Sequence, residues 1–272
     1  MTHLPRHAEI LKILSLLRNV SVGDFSQRLA VSEVTIRKDL AQLEEMGCLI
    51  RTRGGAQIAE DTRILKTMDV RLKERMDVKE AIARKARELV RDGETIYLDA
   101  GSTCLLLAKE LTEMNLRVVT NSIDVMAALG ACPGISLISL GGTYRREAGS
   151  FVGPMAIEAL RTLQIETCFL GTTGFSNRGV FSSQNLIESQ LKQKVLESSG
   201  RRIILADSGK YGRQAFSVFA RAGDVDILVT DPGFKHAKEF NVFGLEVVVA
   251  GNCAEAADAG CAEAGSGAGF GD

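Results

Sequence analysis

The sequence predicts two units of different class. A small α+β unit at the N-terminus precedes a larger α/β unit built on a parallel sheet. Three observations carry this. From residue 93 onward, short and nearly continuous apolar runs alternate with helical runs, as they do where parallel strands are covered on both faces. Residues 1–58 hold short helical stretches and one glycine-rich break at Gly54-Gly55. The chain has 272 residues, room for about two domains at ~150 residues each.

Composition excludes several classes. Apolar residues make up 45% and charged residues 25%, ordinary for a globular chain and unlike a disordered or collagen-like one. Lys+Arg is 33 against Asp+Glu 34, so a uniformly basic surface is excluded but a local basic face is not. No apolar run reaches the ~18 residues of a membrane helix, and Met1–Pro5 begins no signal-peptide core. Cys48, Cys104, Cys132, Cys168, Cys253 and Cys261 form no C-x-x-C pair. That spacing fits neither a zinc site nor a disulfide framework; it suits a reducing cytoplasm.

In chain order, Ile10, Ile13, Leu14 and Leu17 recur at helical spacing and predict a first helix over 6–18. Val20–Val22 reads as a brief strand. Phe25, Leu29 and Ala30 predict a second helix. Ser32 is a good N-cap and Glu33 an acid in the first turn, opening a third helix over 33–46 that stops at Gly47. Its polar side near the N-terminus holds Ser32, Thr35, Arg37 and Lys38, where a helix-turn-helix protein meets the major groove or its phosphates. Cys48–Ile58 then reads as a winged hairpin whose Arg51 and Arg53 could reach phosphate or the minor groove. Over residues 1–59, eight Lys and Arg face six Asp and Glu, but the positive groups concentrate on the reading helix and wing. Pattern alone leaves open an ordinary three-helix module with solvated arginines.

The larger unit begins with a strand from Thr95, ending in Asp99-Ala100-Gly101-Ser102-Thr103. Later strands end in Asn121-Ser122, Gly141-Gly142, Gly171-Thr172 and Asp207-Ser208-Gly209-Lys210, and two more run at 226–230 and 246–249. Ligands of open α/β sheets bind beyond the carboxyl ends of strands. Gly101, Ser102 and Thr103 open a helix whose backbone N–H groups can hold a phosphate, and Lys210 adds a point charge. Asp99, Glu188 and Asp207 are acceptors suited to sugar hydroxyls; their other reading is helix capping or surface salt bridges, and for Glu188 that is the better one. Asn121, Ser122, Gly141, Gly142, Gly171 and Thr172 complete the rim.

The run from Val31 to Leu40, VSEVTIRKDL, with Leu43-Glu44, Gly47, Arg51 and Gly54-Gly55-Ala56, resembles the signature of the DeoR family of bacterial transcription regulators. Lys38 stands where that family usually has Arg; it keeps the charge but loses the bidentate fork. Asp99-x-Gly101-Ser102-Thr103, Thr120-Asn121-Ser122, Gly141-Gly142, Phe169-Leu170-Gly171, Glu188 with Lys192, and Asp207-Ser208-Gly209-Lys210 resemble the family's sensor domain. The resemblance implies a winged helix-turn-helix on operator DNA. It also implies a Rossmann-like sensor similar in fold to ribose-5-phosphate isomerase and glucosamine-6-phosphate deaminase, with phosphorylated sugars as effectors. Ser102, Glu166 and Gly209 depart from the family's usual Thr, Asp and Ser.

The rival class is a sugar-phosphate isomerase or deaminase with an accessory DNA-binding domain. Such chemistry needs a placed general base. The histidines are His3, His7 and His236, the last expected away from the rim; Asp99, Asp207 and Lys210 could serve as acid and base, so the residues alone leave turnover open, and no Walker loop occurs. The expectation is therefore a non-enzymatic cytoplasmic regulator, a repressor more than an activator, with no cofactor, metal or catalytic residue. Its partners are operator DNA, a phosphorylated sugar and its own copies in a dimer or tetramer, with no membrane. Its parts are a DNA-binding unit at 1–58, a charged coupling segment at 59–92, a sensor at 93–250 and a disordered Gly/Ala-rich tail at 251–272.

Overall fold

The computed structural model describes residues 6, 7, 9, 10, 13, 14, 17, 19–45, 49–57 and 68–251. The expected tail past Gly251 and the start of the coupling segment lie outside the described residues. The chain divides into two compact units, Met1–Lys66 and Thr67–Asp272.

In the first unit, α1 is helical at every described position between 6 and 17. Ile10 and Leu14 are buried, but Leu17, expected on the same face, is 48% exposed. β1 (Asn19–Ser21) ends one residue earlier than the pattern suggested, because Val22 already begins α2 (Val22–Leu29). Ser21 caps α2 by accepting from the Asp24 backbone N–H at 3.1 Å. Ala30 closes the helix in the left-handed region at φ 52°. α3 (Glu33–Glu45) follows at once. Ile36, Leu40 and Leu43 face inward onto Phe25, Ile10 and Leu14, as helical spacing requires. β2 (Ile50–Thr52) and β3 (Gly55–Gln57) form the hairpin, and β1 pairs with the far side of β3. Gly55 is needed for that second pairing rather than for the turn. A Cβ there would lie 2.0 Å from the Val20 carbonyl oxygen.

The second unit opens with α4 (Met68–Lys73) and α5 (Met76–Arg87). Ile82, Ala83 and Ala86 of α5 are fully buried in the sheet's core, so this helix is part of the unit's packing. Then come β4 (Thr95–Leu98), α6 (Ser102–Glu110), β5 (Leu116–Thr120), α7 (Ile123–Leu129) and β6 (Ile135–Ser139). A hairpin of β7 (Thr143–Arg145) and β8 (Ser150–Val152) leads to α8 (Pro154–Leu160) and β9 (Ile165–Gly171). β10 (Gly174–Phe175), β11 (Val180–Ser183), α9 (Leu186–Glu197), β12 (Ser199–Leu205) and β13 (Ser217–Arg221) follow. β14 (Ile227–Thr230), α10 (Ala237–Asn241) and β15 (Glu246–Val249) end the described chain.

Seven strands form one parallel sheet in the order β15-β14-β12-β9-β4-β5-β6. Alternation along β4 sends Tyr97 to one core and Ile96 and Leu98 to the other. Helices α5, α6 and α7 cover the second face, and α8, α9 and α10 the first. This is the Rossmann-like arrangement expected of buried parallel strands. From β4 the chain winds outward through β5 and β6, then returns to β9 on β4's other side and winds outward the opposite way. The carboxyl ends of β4 and β9 therefore flank the topological switch point, where such sheets hold ligands. Among the described residues, no helix is long and apolar enough to cross a membrane.

Candidate functional site

On α3 the exposed face carries Ser32, Glu33, Val34, Arg37 and Lys38, with Thr35 half-buried. Ser32 Oγ accepts from the Thr35 N–H at 3.3 Å and lies 2.9 Å from its hydroxyl, so the cap and the polar face of the first turn are one structure. Arg37 is extended along the helix and paired with Glu33 at 2.7 Å. An exposed pair one helical turn apart contributes only ~0.3–0.5 kcal/mol, so the guanidinium is readily released. Val34 is 74% exposed in the middle of this face, a position that periodicity did not single out. An exposed apolar group among polar ones is suited to a thymine methyl. Asp39 faces the other way. It is fully buried and receives Arg6, with Nη2 at 2.9 Å, and His7 at 3.3 Å, tying α3 to α1. Burial alone would raise its pKa, but the hydrogen bonds from Arg6 hold it below the usual carboxylate value. In the wing, Arg51 and Arg53 are exposed; Arg51 donates its backbone N–H to Glu44 at 3.0 Å.

The five strand ends expected to converge all belong to the one parallel sheet. Asp99 ends β4 and Gly171 ends β9, and Lys192 of α9 ties them together. Its Nζ lies 2.6 Å from Asp99 Oδ2, 2.6 Å from the Gly171 carbonyl oxygen and 3.3 Å from Glu188. The Gly171 N–H donates to Asp99 at 3.0 Å. Burial works against the ammonium, but Asp99 and Glu188 outweigh it and raise its pKa. Glu188 also takes Arg145 of the β7–β8 hairpin at 3.1 Å and the Ser183 hydroxyl at 3.2 Å. Lys192 and Arg145 hold Glu188 below its ordinary value despite burial, which acts the other way.

Gly101 precedes α6 and no side chain caps that helix, so its first-turn N–H groups point at the crevice uncapped by any described side chain. Ser102 and Thr103 are buried there. Lys210 stands at the end of β12 on a short turn. Burial lowers its pKa, and it makes no ion pair among the described residues. The remaining residues are engaged with the protein itself. Asn121 accepts from the Tyr97 hydroxyl at 2.9 Å and donates to the Phe151 carbonyl at 3.0 Å. Ser122 caps α7, and Thr172 donates to the carbonyls of Gly174 and Ser182. Gly142 adopts φ 131° against the Val152 carbonyl, which a Cβ would meet at 2.6 Å; Gly141 has open space around it.

Asp207 is bridged by a residue that the strand pattern could not supply. Arg75, between α4 and α5, donates to Asp207 at 2.6 Å and to Asp231 at 3.2 Å. Gly209 makes room for it, since a Cβ there would stand 2.7 Å from the guanidinium. Arg71 and Lys79 of the same two helices also reach the rim. Burial lowers both pKa values, that of Lys79 to about 8. His236 is nearer than expected: its ring stacks on Tyr211, next to Lys210, with centroids 4.5 Å apart. Burial pushes the Cys104 thiol up to about 12, so it carries no thiolate near neutrality.

Comparison with known proteins accounts for both units. A model of the DeoR-like helix-turn-helix domain matches residues 6–62, and one of the DeoR C terminal sensor domain matches residues 74–232. An uncharacterized HTH-type transcriptional regulator of Bacillus subtilis, YulB, is 35% identical over 85% of this chain and 90% of its own. The transcriptional repressor AccR of Agrobacterium fabrum is 32% identical, covering 84% of this chain and 89% of its own. The L-fucose operon activator of Escherichia coli is 31% identical over 83% of this chain and 94% of its own. Ribose 5 phosphate isomerase A from Neisseria gonorrhoeae aligns with a TM-score of 0.37 at 18% identity, over 49% of this chain and 52% of its own. At that level nothing about ligand or activity transfers. The family matches span most of both units, and the chain belongs to the DeoR family of helix-turn-helix transcriptional regulators.

Proposed function

We propose that this regulator is a cytoplasmic repressor that releases operator DNA when its sensor takes up a phosphorylated sugar. The observation that carries the reading is the cationic crevice at the β4/β9 switch point. There the start of α6, capped by no described side chain, and Lys210, in no ion pair among the described residues, lie beyond the same sheet edge. Helix N-terminal amides and a lysine suit a phosphate; Asp99 and Glu188 suit hydroxyls. A relative named for a sugar operon, the L-fucose operon activator of Escherichia coli, points to the same ligand class. Ser32, Thr35, Arg37 and Lys38 would face the major groove, and Arg51 and Arg53 the phosphates. A homo-oligomer would match repeated half-sites. Residues 59–92 would couple the two parts.

We read the site as non-enzymatic. A sugar isomerisation needs a free general base. Here Asp99 is held by Lys192, Glu188 by Arg145 and Asp207 by Arg75. The test is fluorescence anisotropy of promoter DNA with the full chain, titrated with a panel of sugar phosphates while product is assayed. Release by one phosphorylated sugar without turnover supports the reading. Turnover, or release by none of them, overturns it.

A further inference from the structure

Arg71 stands out among the crevice's charges. Its Nε and Nη2 are buried and have no hydrogen-bond partner. Guanidinium nitrogens that lose their hydration without a hydrogen bond among the described residues are costly, so natural structures rarely leave them so. Its position is fixed: Lys79 donates to the Arg71 carbonyl oxygen, so two neighbouring turns are clamped together. The charged groups that act on Arg71 are Glu188, Asp99, Asp124 and Arg145, the rim of the same crevice. Arg71 and Lys192 in turn act on Lys210, and Lys210 acts on Lys79. Three of the carboxylates nearby are already committed, Asp99 and Glu188 to Lys192 and Arg145, and Asp207 to Arg75. Arg71, Lys79 and Lys210 are thus gathered at one rim, where Asp207 acts on both lysines.

We propose that Arg71 is a ligand-contacting residue that meets the phosphate beside the start of α6. This rests on the phosphorylated-sugar reading and adds to it. The anion would be held by a planar guanidinium fork as well as by backbone amides and Lys210. Lys79 acts as a positioning residue through the Arg71 carbonyl. A regulatory consequence follows from connectivity. α4 is the first described element of the second unit, so a ligand that holds Arg71 also holds the segment that opens this unit. Occupancy then biases that segment through differential contacts in the bound and free states.

The test uses the full chain and the variants Arg71→Gln and Arg71→Lys. Each is melted with and without inorganic phosphate, and titrated calorimetrically with sugar phosphates and their unphosphorylated parents. Arg71→Gln removes a charge whose Nε and Nη2 are buried without a hydrogen bond among the described residues. Its ligand-free melting temperature should equal or exceed that of the unaltered chain, while affinity for the phosphorylated ligand falls roughly tenfold to a hundredfold. Arg71→Lys should recover part of that affinity. Unchanged affinity in Arg71→Gln overturns the inference and leaves the sugar-phosphate reading intact. A lowered melting temperature, with both stability and affinity restored in full by Arg71→Lys, assigns Arg71 to the fold and also overturns it. If the unaltered chain binds no phosphorylated ligand, the reading and the inference fall together.

Discussion

Lys192 is the residue on which the floor of the crevice turns. Its ammonium is 4% exposed and Asp99 is 2% exposed. Lys192→Met keeps much of the stem and removes the charge. Asp99 then stays buried with one remaining donor, the Gly171 N–H. Glu188 keeps Arg145 and Ser183 and is less affected. Breaking a buried pair by removing one partner costs about 3–5 kcal/mol, because the other charge is left without compensation. For a unit of 150–250 residues each kcal/mol lowers the melting temperature by ~2–4 °C, so the sensor should melt about 6–20 °C earlier. The double variant Lys192→Met with Asp99→Asn removes the stranded charge and should regain at least half of that loss. The assay is differential scanning calorimetry of the three proteins at neutral pH. A single variant within about 2 °C of the unaltered chain would refute the reasoning. So would a double variant no more stable than the single.

Three other outcomes follow. Arg37→Ala should leave the fold intact, since only an exposed pair with Glu33 is lost, and should lower operator affinity by ~1–3 kcal/mol if a base is read; an unchanged gel shift at fixed salt contradicts this. Arg51→Gln or Arg53→Gln should flatten the slope of log affinity against log salt by about one charge, and an unaltered slope means the wing stays solvated. Lys79, lowered to about 8 by burial and then by Lys210, should make ligand affinity fall as pH rises through that value. Binding should then take up a proton, which calorimetry in buffers of different ionisation enthalpy detects as a buffer-dependent heat. Without ligand the sign reverses: a lysine with a lowered folded pKa costs stability while protonated, so stability from this group rises between about 8 and the unfolded 10.5.

Much of this was legible because period carries burial. Ile36, Leu40 and Leu43 repeat at helical spacing, and β4 alternates between two cores, so helices and parallel strands follow from local pattern. Strand ends were legible for the same reason, and they gathered Asp99, Gly101 and Lys210 without any knowledge of contacts. The partners of those groups were not. Arg145 arrives from a three-residue strand, Arg71 from a six-residue helix and Arg75 from the turn after it, in a charged stretch that resembles a solvated linker. Nothing local marks Arg75 as the partner of Asp207, 132 positions away. Asn121 and Thr172 showed the reverse problem. Their residue types suit a ligand, but only the fold shows their polar atoms already used by Tyr97, Phe151, Gly174 and Ser182. Gly55 looked like a turn residue and is instead a point of close approach between β1 and β3.

The account stands most directly on whether the crevice recognises phosphate through Lys210. Calorimetric titration of the unaltered chain and Lys210→Met with phosphorylated sugars and their unphosphorylated parents measures this. The account predicts that the unaltered chain binds a phosphorylated sugar in preference to its parent. It predicts that Lys210→Met loses about tenfold to a hundredfold in affinity, the ~1.5–3 kcal/mol of one charge-assisted contact. Equal affinity of the two proteins, or a preference of the unaltered chain for the unphosphorylated sugar, would contradict it.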